Sequence, residues 1–223
     1  MAHVARLPLG RANGFLISDE QSILVDTGFL GNWVRLRRSL SDHGIRPVDL
    51  SLVVITHAHH DHLGNLAALK READVAIAAH ANAAPHLVRG TSAEIHPRSW
   101  QGRAVAMFLK DQPRIPGVDV EFRVAQEMSL CPFGVHGCVV PTPGHTDGCL
   151  SVLLDDGQAV VGDLIMGGFV RSRAPRAPLF MCSKADWADS VRVLLDRGAT
   201  RFYTGHGGPF DRDEIADLLR LEP

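Results

Sequence analysis

Long apolar runs are missing from this 223-residue chain. Although 45% of it is hydrophobic, no stretch approaches the length of about 20 residues that a membrane span requires. The composition therefore predicts a soluble globular protein, a single domain over residues 1–223 with a large core. Net charge is also lacking: 23 Lys and Arg against 25 Asp and Glu leave a formal −2. The basic residues are spread along the chain, so neither nucleic acid nor a membrane surface is an expected partner. Cysteine is sparse. Cys131, Cys138, Cys149 and Cys182 form no C-x-x-C pair, which disfavours both a thiolate zinc site and a disulfide framework. The opening Met1-Ala2-His3-Val4-Ala5-Arg6-Leu7 goes straight into strand-like sequence and has no export-signal character. Free thiols and a cytoplasmic location are the resulting expectation. No internal repeat or low-complexity tail is visible.

Histidine, by contrast, is concentrated. The segment Thr56-His57-Ala58-His59-His60-Asp61-His62 directly follows the β-branched run Leu52-Val53-Val54-Ile55. Such a run predicts a buried strand, and a chain leaving it still extended points His57 and His59 to the same side. Asp61 and His62 come next, where helical spacing takes over through Leu63, Leu66 and Leu69. Imidazole and carboxylate without thiolate suit zinc, iron, manganese or cobalt in an open site. Three further ligand candidates end strand-like runs beside glycine: His145 after Gly144, Asp163 after Gly162, and His206 after Gly205. Glycine at such positions allows the backbone to approach a crowded centre closely or to take a positive φ.

With these residues in view, the chain resembles the metallo-β-lactamase-fold hydrolases. Its H-x-H-x-D-H signature falls on His57, His59, Asp61 and His62, and the later ligands fall on His145, Asp163 and His206. The Asp26-Thr27-Gly28 turn resembles the family's early strand-turn. The resemblance implies an α/β fold, an αββα sandwich of two mixed β-sheets flanked by helices. It further implies two divalent metal ions, zinc first and iron or manganese as alternatives. His57, His59 and His145 would hold one ion, Asp61, His62 and His206 the other, with Asp163 bridging. Asp61 would also be catalytic, orienting a metal-bridging hydroxide and carrying its proton. The implied activity is hydrolysis of a small molecule, with a lactone or thioester as first expectation. β-Lactam or phosphodiester hydrolysis, a diiron redox module and metal binding without catalysis are the alternatives. Individual branches fit less well. Lactonases carry a tyrosine where Met166 stands, and glyoxalase-II-like thioesterases follow the last histidine with an aromatic rather than Gly207-Gly208.

The remaining elements read as follows. Strands are expected near 3–7, 14–18, 22–26, 52–55, 75–78, 119–125, 135–140, 149–154, 158–162 and 201–204. Helices are expected from Trp33 to Leu40, from Leu63 to Leu69, in a short segment ending before Pro85, from Lys184 to Asp196, and after Asp211. Ser183 with Asp186 has the spacing of a capping box. Residues 86–118 show no clear period, and the apolar patch Val105-Ala106-Met107-Phe108-Leu109 reads as core, a lid or a homodimer contact. His60, His80, His86, His96 and His136 are expected outside the site. Arg171, Arg173 and Arg176 read as an anion clamp or a solvated basic loop. Cys149 reads as a small buried hydrophobe rather than a pocket residue.

Overall fold

The computed structural model describes residues 1–109, 114–167 and 174–222. The first half contains β1 (His3–Pro8), β2 (Asn13–Ser18), β3 (Ser22–Val25), α1 (Trp33–Asp42), β4 (Leu50–Ile55), α2 (His60–Leu63), α3 (Leu66–Glu72) and β5 (Ile77–His80). It continues with α4 (Ala84–Arg89), α5 (Trp100–Leu109) and β6 (Phe122–Val124). The second half contains β7 (Met128–Ser129), β8 (Gly137–Pro141), β9 (Leu150–Leu154), β10 (Gln158–Gly162), α6 (Lys184–Asp196), β11 (Arg201–Thr204), β12 (Phe210–Asp211) and α7 (Arg212–Leu221).

Two six-stranded sheets result, ordered β1-β2-β3-β4-β5-β6 and β12-β11-β10-β9-β8-β7. Both are mixed. In the first, β1, β2 and β3 pair antiparallel and β3 to β6 pair parallel. In the second, only β10 and β11 are parallel. Period-two alternation divides the apolar residues between layers. Phe15, Ile17, Ile23, Val25, Leu52 and Val54 meet Val139, Leu150, Val152 and Val160 between the sheets. Their neighbours Leu16, Leu24, Val53 and Ile55 face outward onto Leu36, Leu40, Leu66 and Leu69 of α1 and α3. On the other side Leu153, Val161 and Phe202 face Trp187, Val191 and Leu194 of α6 and Ile215 of α7. This is the four-layer α/β sandwich expected from the resemblance.

Local signals account for the helix ends. Ser183 accepts a hydrogen bond from Asp186 N at 3.2 Å, and Asp211 with Glu214 forms a reciprocal capping box at the start of α7. Three expectations need correction. No helix ends before Pro85: α4 begins there, with Pro85 in its first turn, where a missing N–H costs nothing. The helix expected over Leu63 to Leu69 is broken at Gly64 and Asn65 into α2 and α3. The strand expected over 75–78 lies instead at Ile77–His80, set by pairing of Val53 with Ile77. The patch at 105–109 falls on α5; Val105 and Met107 are exposed there, so they do not form core. None of the described helices is long and apolar enough to cross a membrane.

Two features of this packing are open to measurement. Trp187 is fully buried and its Nε1 donates to Leu164 O at 2.7 Å, joining α6 to the loop after β10. Trp187→Phe strands that carbonyl, so stability should fall by about 1–3 kcal/mol, read as a lower denaturant midpoint at unchanged slope. An unaltered midpoint would show that the bond contributes nothing. His136 Nδ1 and N both bond to Asp19 Oδ2, at 2.9 and 3.1 Å. The Asp19 hydrogen bond raises the His136 pKa above its ordinary value. A raised folded value means the pair stabilises fully below the unfolded pKa, and the gain is lost as pH rises through the folded value. An NMR titration of the imidazole should therefore show a midpoint above about 6.5 that drops in Asp19→Asn.

Candidate metal centre

Each of the seven residues lies where a strand ends. His57 and His59 follow β4, Asp61 and His62 sit on the single turn α2, and His145, Asp163 and His206 follow β8, β10 and β11. Those ends share one edge of the sandwich, which is closed across the sheets by Leu150 N donating to Thr56 O at 2.8 Å and Asn13 N donating to Gly205 O at 2.8 Å. Potential ligand atoms of His57, His59 and His145 lie within 4.8 Å of one another, as do those of Asp61, His62 and His206. A third such group, His57, His62 and Asp163, overlaps both. Asp163 spans the two sides: Oδ1 lies 3.5 Å from His62 Nε2, while Oδ2 lies 3.4 Å from His206 Nε2 and 3.9 Å from His145 Nε2.

This crowding explains the glycines. A Cβ on Gly205 would sit 2.5 Å from Asp163 Oδ1 and 2.6 Å from His62 Cε1. One on Gly162 would sit 2.5 Å from Thr56 Oγ1, at a φ of +52°.

A second set of groups orients the imidazoles. His145 Nδ1 donates to Phe180 O at 2.7 Å, His206 Nδ1 donates to Arg11 O at 2.8 Å, and His62 Nδ1 donates to Asp26 Oδ2 at 2.7 Å. Thr56 Oγ1 gives its only proton to Asp26 Oδ2 at 2.8 Å, so towards His57 Nδ1, 3.1 Å away, it accepts. In all four rings Nδ1 is thereby the protonated nitrogen and Nε2 is left for the centre. The backbone-carbonyl partners, from Phe180 and Arg11, carry no sequence signal. Asp26 does have one: it lies at the early strand-turn, yet its bond to His62 was not foreseen.

The electrostatics divide the same way. Burial, with the neighbouring imidazoles, holds His57 well below its ordinary pKa and His59 at about 3, and burial lowers His145. These three stay neutral, with lone pairs available. Burial also works against charge on His62 and His206, but the carboxylates outweigh it, raising His62 well above its ordinary value and His206 to about 10. Asp61 shows the converse: burial raises its pKa, yet His62 and His206 hold it at about 2. Protons on these two histidines thus stand where a cation would balance the carboxylates.

The donor set fits a metal on a direct observation. His57 Nε2, His59 Nε2, His62 Nε2 and Asp163 Oδ1 are buried with no hydrogen-bond partner. Buried polar atoms are ordinarily satisfied, because each one stranded costs about 1–3 kcal/mol. Three of them, on His57, His62 and Asp163, belong to one group of potential ligands, where a divalent ion would use their lone pairs. Imidazole with carboxylate suits zinc, iron or manganese.

Other predicted residues lie elsewhere. His60 is buried but belongs to none of the three groups. His80 accepts from Asn82 N, His86 contacts Thr91, His96 lies near Glu94, and His136 pairs with Asp19. Cys149 is buried against Thr146, its thiol pushed by burial to about 12, as a small hydrophobe would be. Arg176 donates from Nε to Gly167 O at 3.3 Å, whereas Arg171 and Arg173 lie outside the described residues. A cavity of about 450 Å³ opens on His59, Asp61, Asp163 and His206, with Phe29, Ile95, Val105, Met166, Leu179 and Phe180 among its walls.

Two packed mixed sheets with a buried imidazole–carboxylate cluster at one edge and a cavity above it define a metal-dependent hydrolase scaffold. The chain belongs to the metallo-beta-lactamase superfamily, whose family profile matches residues 7–206. It is 45% identical over 212 residues to metallo-beta-lactamase domain-containing protein 1 of Xenopus laevis, covering 93% of this chain and 75% of that protein. It is 28% identical over 174 residues to the probable metallo-hydrolase YqgX of Bacillus subtilis, covering 73% of this chain and 71% of that one. Among solved structures, a metallo-beta-lactamase of Cronobacter sakazakii with a HARLDQ motif superimposes with a TM-score of 0.70 at 21% identity, covering 98% and 88% of the two chains. That likeness concerns the fold.

Asp26 supplies the test of this orientation. Asp26→Ala removes the partner of His62 and Thr56, and loss of such a supporting bond should weaken metal affinity by about 10–100-fold. Competition with a chromophoric chelator measures it, with Asp19→Ala as a control distant from the site. Equal affinities for Asp26→Ala and the unsubstituted protein would refute the role.

Proposed function

We propose that the chain is a dinuclear metal-dependent hydrolase that cleaves an ester-like acyl bond, a lactone or thioester, in a small and largely apolar molecule. The carrying observation is the union of the seven-residue cluster with a cavity of about 450 Å³, a size that suits a small-molecule substrate. His57, His59 and His145 would hold one ion and Asp61, His62 and His206 the other, with Asp163 between them; zinc is the first expectation. Two divalent ions in such a site supply Lewis acidity and make hydroxide available near neutral pH.

The chain's own residues then have distinct tasks. Asp61 borders the cavity with its carboxylate 3.2 Å from His206 Nε2, placed to accept a proton from the attacking water and pass it on. Met166 lines the cavity where lactonases carry a tyrosine. A thioether donates no proton, so the leaving group's proton falls to Asp61 or to solvent. The apolar walls exclude water around the acyl group and position it over the cluster. The superimposed lactamases share the fold at about one fifth identity, which leaves the substrate open. Four unpaired cysteines support work in a reducing compartment, with the cytoplasm as our reading.

Elemental analysis of metal-replete protein should give two ions per chain, and a stoichiometry that stays at one would refute the dinuclear reading. Asp163→Ala and His59→Ala should each lower kcat by orders of magnitude, while His136→Ala, far from the site, stays within a few fold. At matched metal loading, kcat/KM on lactones or thioesters should exceed that on a cephalosporin. If the cephalosporin led every ester by about tenfold, some 1.4 kcal/mol of transition-state binding, a β-lactamase would replace this reading.

A further inference from the structure

We propose that the cavity selects acyl substrates bearing a carboxylate at the end remote from the scissile bond, with Arg11 as the counter-charge; this rests on the acyl-hydrolase reading above. The floor of the cavity is the ligand cluster, and its walls include Phe29, Ile95, Val105 and Leu179, which offer no charge. Arg11 is the single Lys or Arg among the described residues that line it. A permanent cation in an apolar wall discriminates between anionic and neutral substrates at their far end.

Two observations make Arg11 available to a substrate. Its guanidinium has no hydrogen bond or ion pair with any described residue, which it shares with exposed arginines such as Arg6 and Arg38 but combines with a place in the cavity wall. The cavity's own carboxylates are engaged elsewhere, since Asp61 and Asp163 both face His206 Nε2, at 3.2 and 3.4 Å. The second observation is the backbone. Arg11 lies in the turn between β1 and β2, and its carbonyl accepts the Nδ1 proton of His206 at 2.8 Å. Asn32 Nδ2 donates to Leu9 O at 2.9 Å and Asn13 N to Gly205 O at 2.8 Å, fixing the turn on both sides. The side chain therefore starts from a backbone position tied to a candidate metal ligand. Its planar fork matches a carboxylate through two parallel hydrogen bonds, which lysine does not reproduce. Substitution of the side chain leaves the carbonyl that holds His206 in place.

The test compares a glutaryl thioester carrying a free terminal carboxylate with its terminal methyl ester, on metal-loaded protein. The unsubstituted enzyme should favour the carboxylate by about tenfold or more in kcat/KM. Arg11→Gln should lose that preference mainly through KM, and Arg11→Lys should retain part of it. A binding arm needs no turnover: calorimetry with hexanesulfonate, an anion that coordinates divalent metals weakly, against hexanol. Sulfonate should bind Arg11→Gln about tenfold more weakly than the unsubstituted protein, and added salt should weaken sulfonate but not hexanol binding. Preference retained in Arg11→Gln, or sulfonate affinity insensitive to both the variant and salt, would overturn the proposal. If neither thioester is hydrolysed while sulfonate binding still depends on Arg11, the acyl-bond reading fails and the anion subsite stands.

Discussion

Buried imidazoles and carboxylates aimed at one point are unfavourable unless something joins them, and the rest of this fold is arranged around that constraint. Removing a charged group from water costs several kcal/mol even after relaxation. The chain offsets part of this before any metal arrives, by setting Asp61 and Asp163 against His62 and His206. It also spends every Nδ1 proton of His62, His145 and His206 on a fixed acceptor, so that the rings cannot turn away. Asp26 shows the scale of the investment. Its φ of 60° is a conformation worth about 1–3 kcal/mol of strain for a non-glycine residue. Against that, its carboxylate accepts from Thr56 N, Thr56 Oγ1 and His62 Nδ1, and each bond to a charged group contributes about 1.5–3 kcal/mol. The hydrogen bonds win, and the strained turn persists.

The sandwich then determines where such a cluster can form. Residues inside a strand alternate between two packed layers, both apolar here, and neither can hold seven polar rings and carboxylates. Only at the strand ends does the chain leave the layers, and β4, β8, β10 and β11 all end at one edge. Convergence requires the backbones themselves to touch the ligands, which is why Gly205 packs directly against Asp163 and His62.

How much of this was legible depended on whether the signal lay in side chains or in main chain. The residues of the candidate cluster were readable, because imidazoles and carboxylates beside glycine at strand ends have few other uses. The continuous β-branched run Leu52 to Ile55 marked a strand buried on both faces, and Ser183 and Asp211 marked helix starts by capping chemistry. The failures share a cause. Pro85 is read as a stop from its chemistry alone, yet in the first turn of α4 the same ring is favourable. The extent of β5 was set by its neighbour β4 rather than by its own residues. Helix α5 has no such sequence signal because, among its described side chains, only Gly102 is buried, which gives no apolar face of 3.6 period. The carbonyls of Arg11 and Phe180 that orient His206 and His145 could not have been read at all, since every residue has one.

Chemistry and selectivity consequently occupy different parts of the chain. The floor of the cavity is bound to strand ends by buried bonds, and a change there disturbs the sheets, the tautomers and the cluster together. Its walls come from side chains of other segments: the β1–β2 turn, Ser92 and Ile95 after α4, Val105 on α5, Met166, and Leu179 with Phe180. Helix α5 is the extreme case. It meets the body where Gly102 lies against Leu179 O, with a missing Cβ only 2.9 Å away, while Val105 and Met107 stay exposed. Substitutions in these segments alter what fits above the cluster at little cost to its geometry. A fold divided in this way keeps one hydrolytic centre while its substrate changes, because binding differences of a few contacts, not the residues of the cluster, decide kcat/KM among competing substrates.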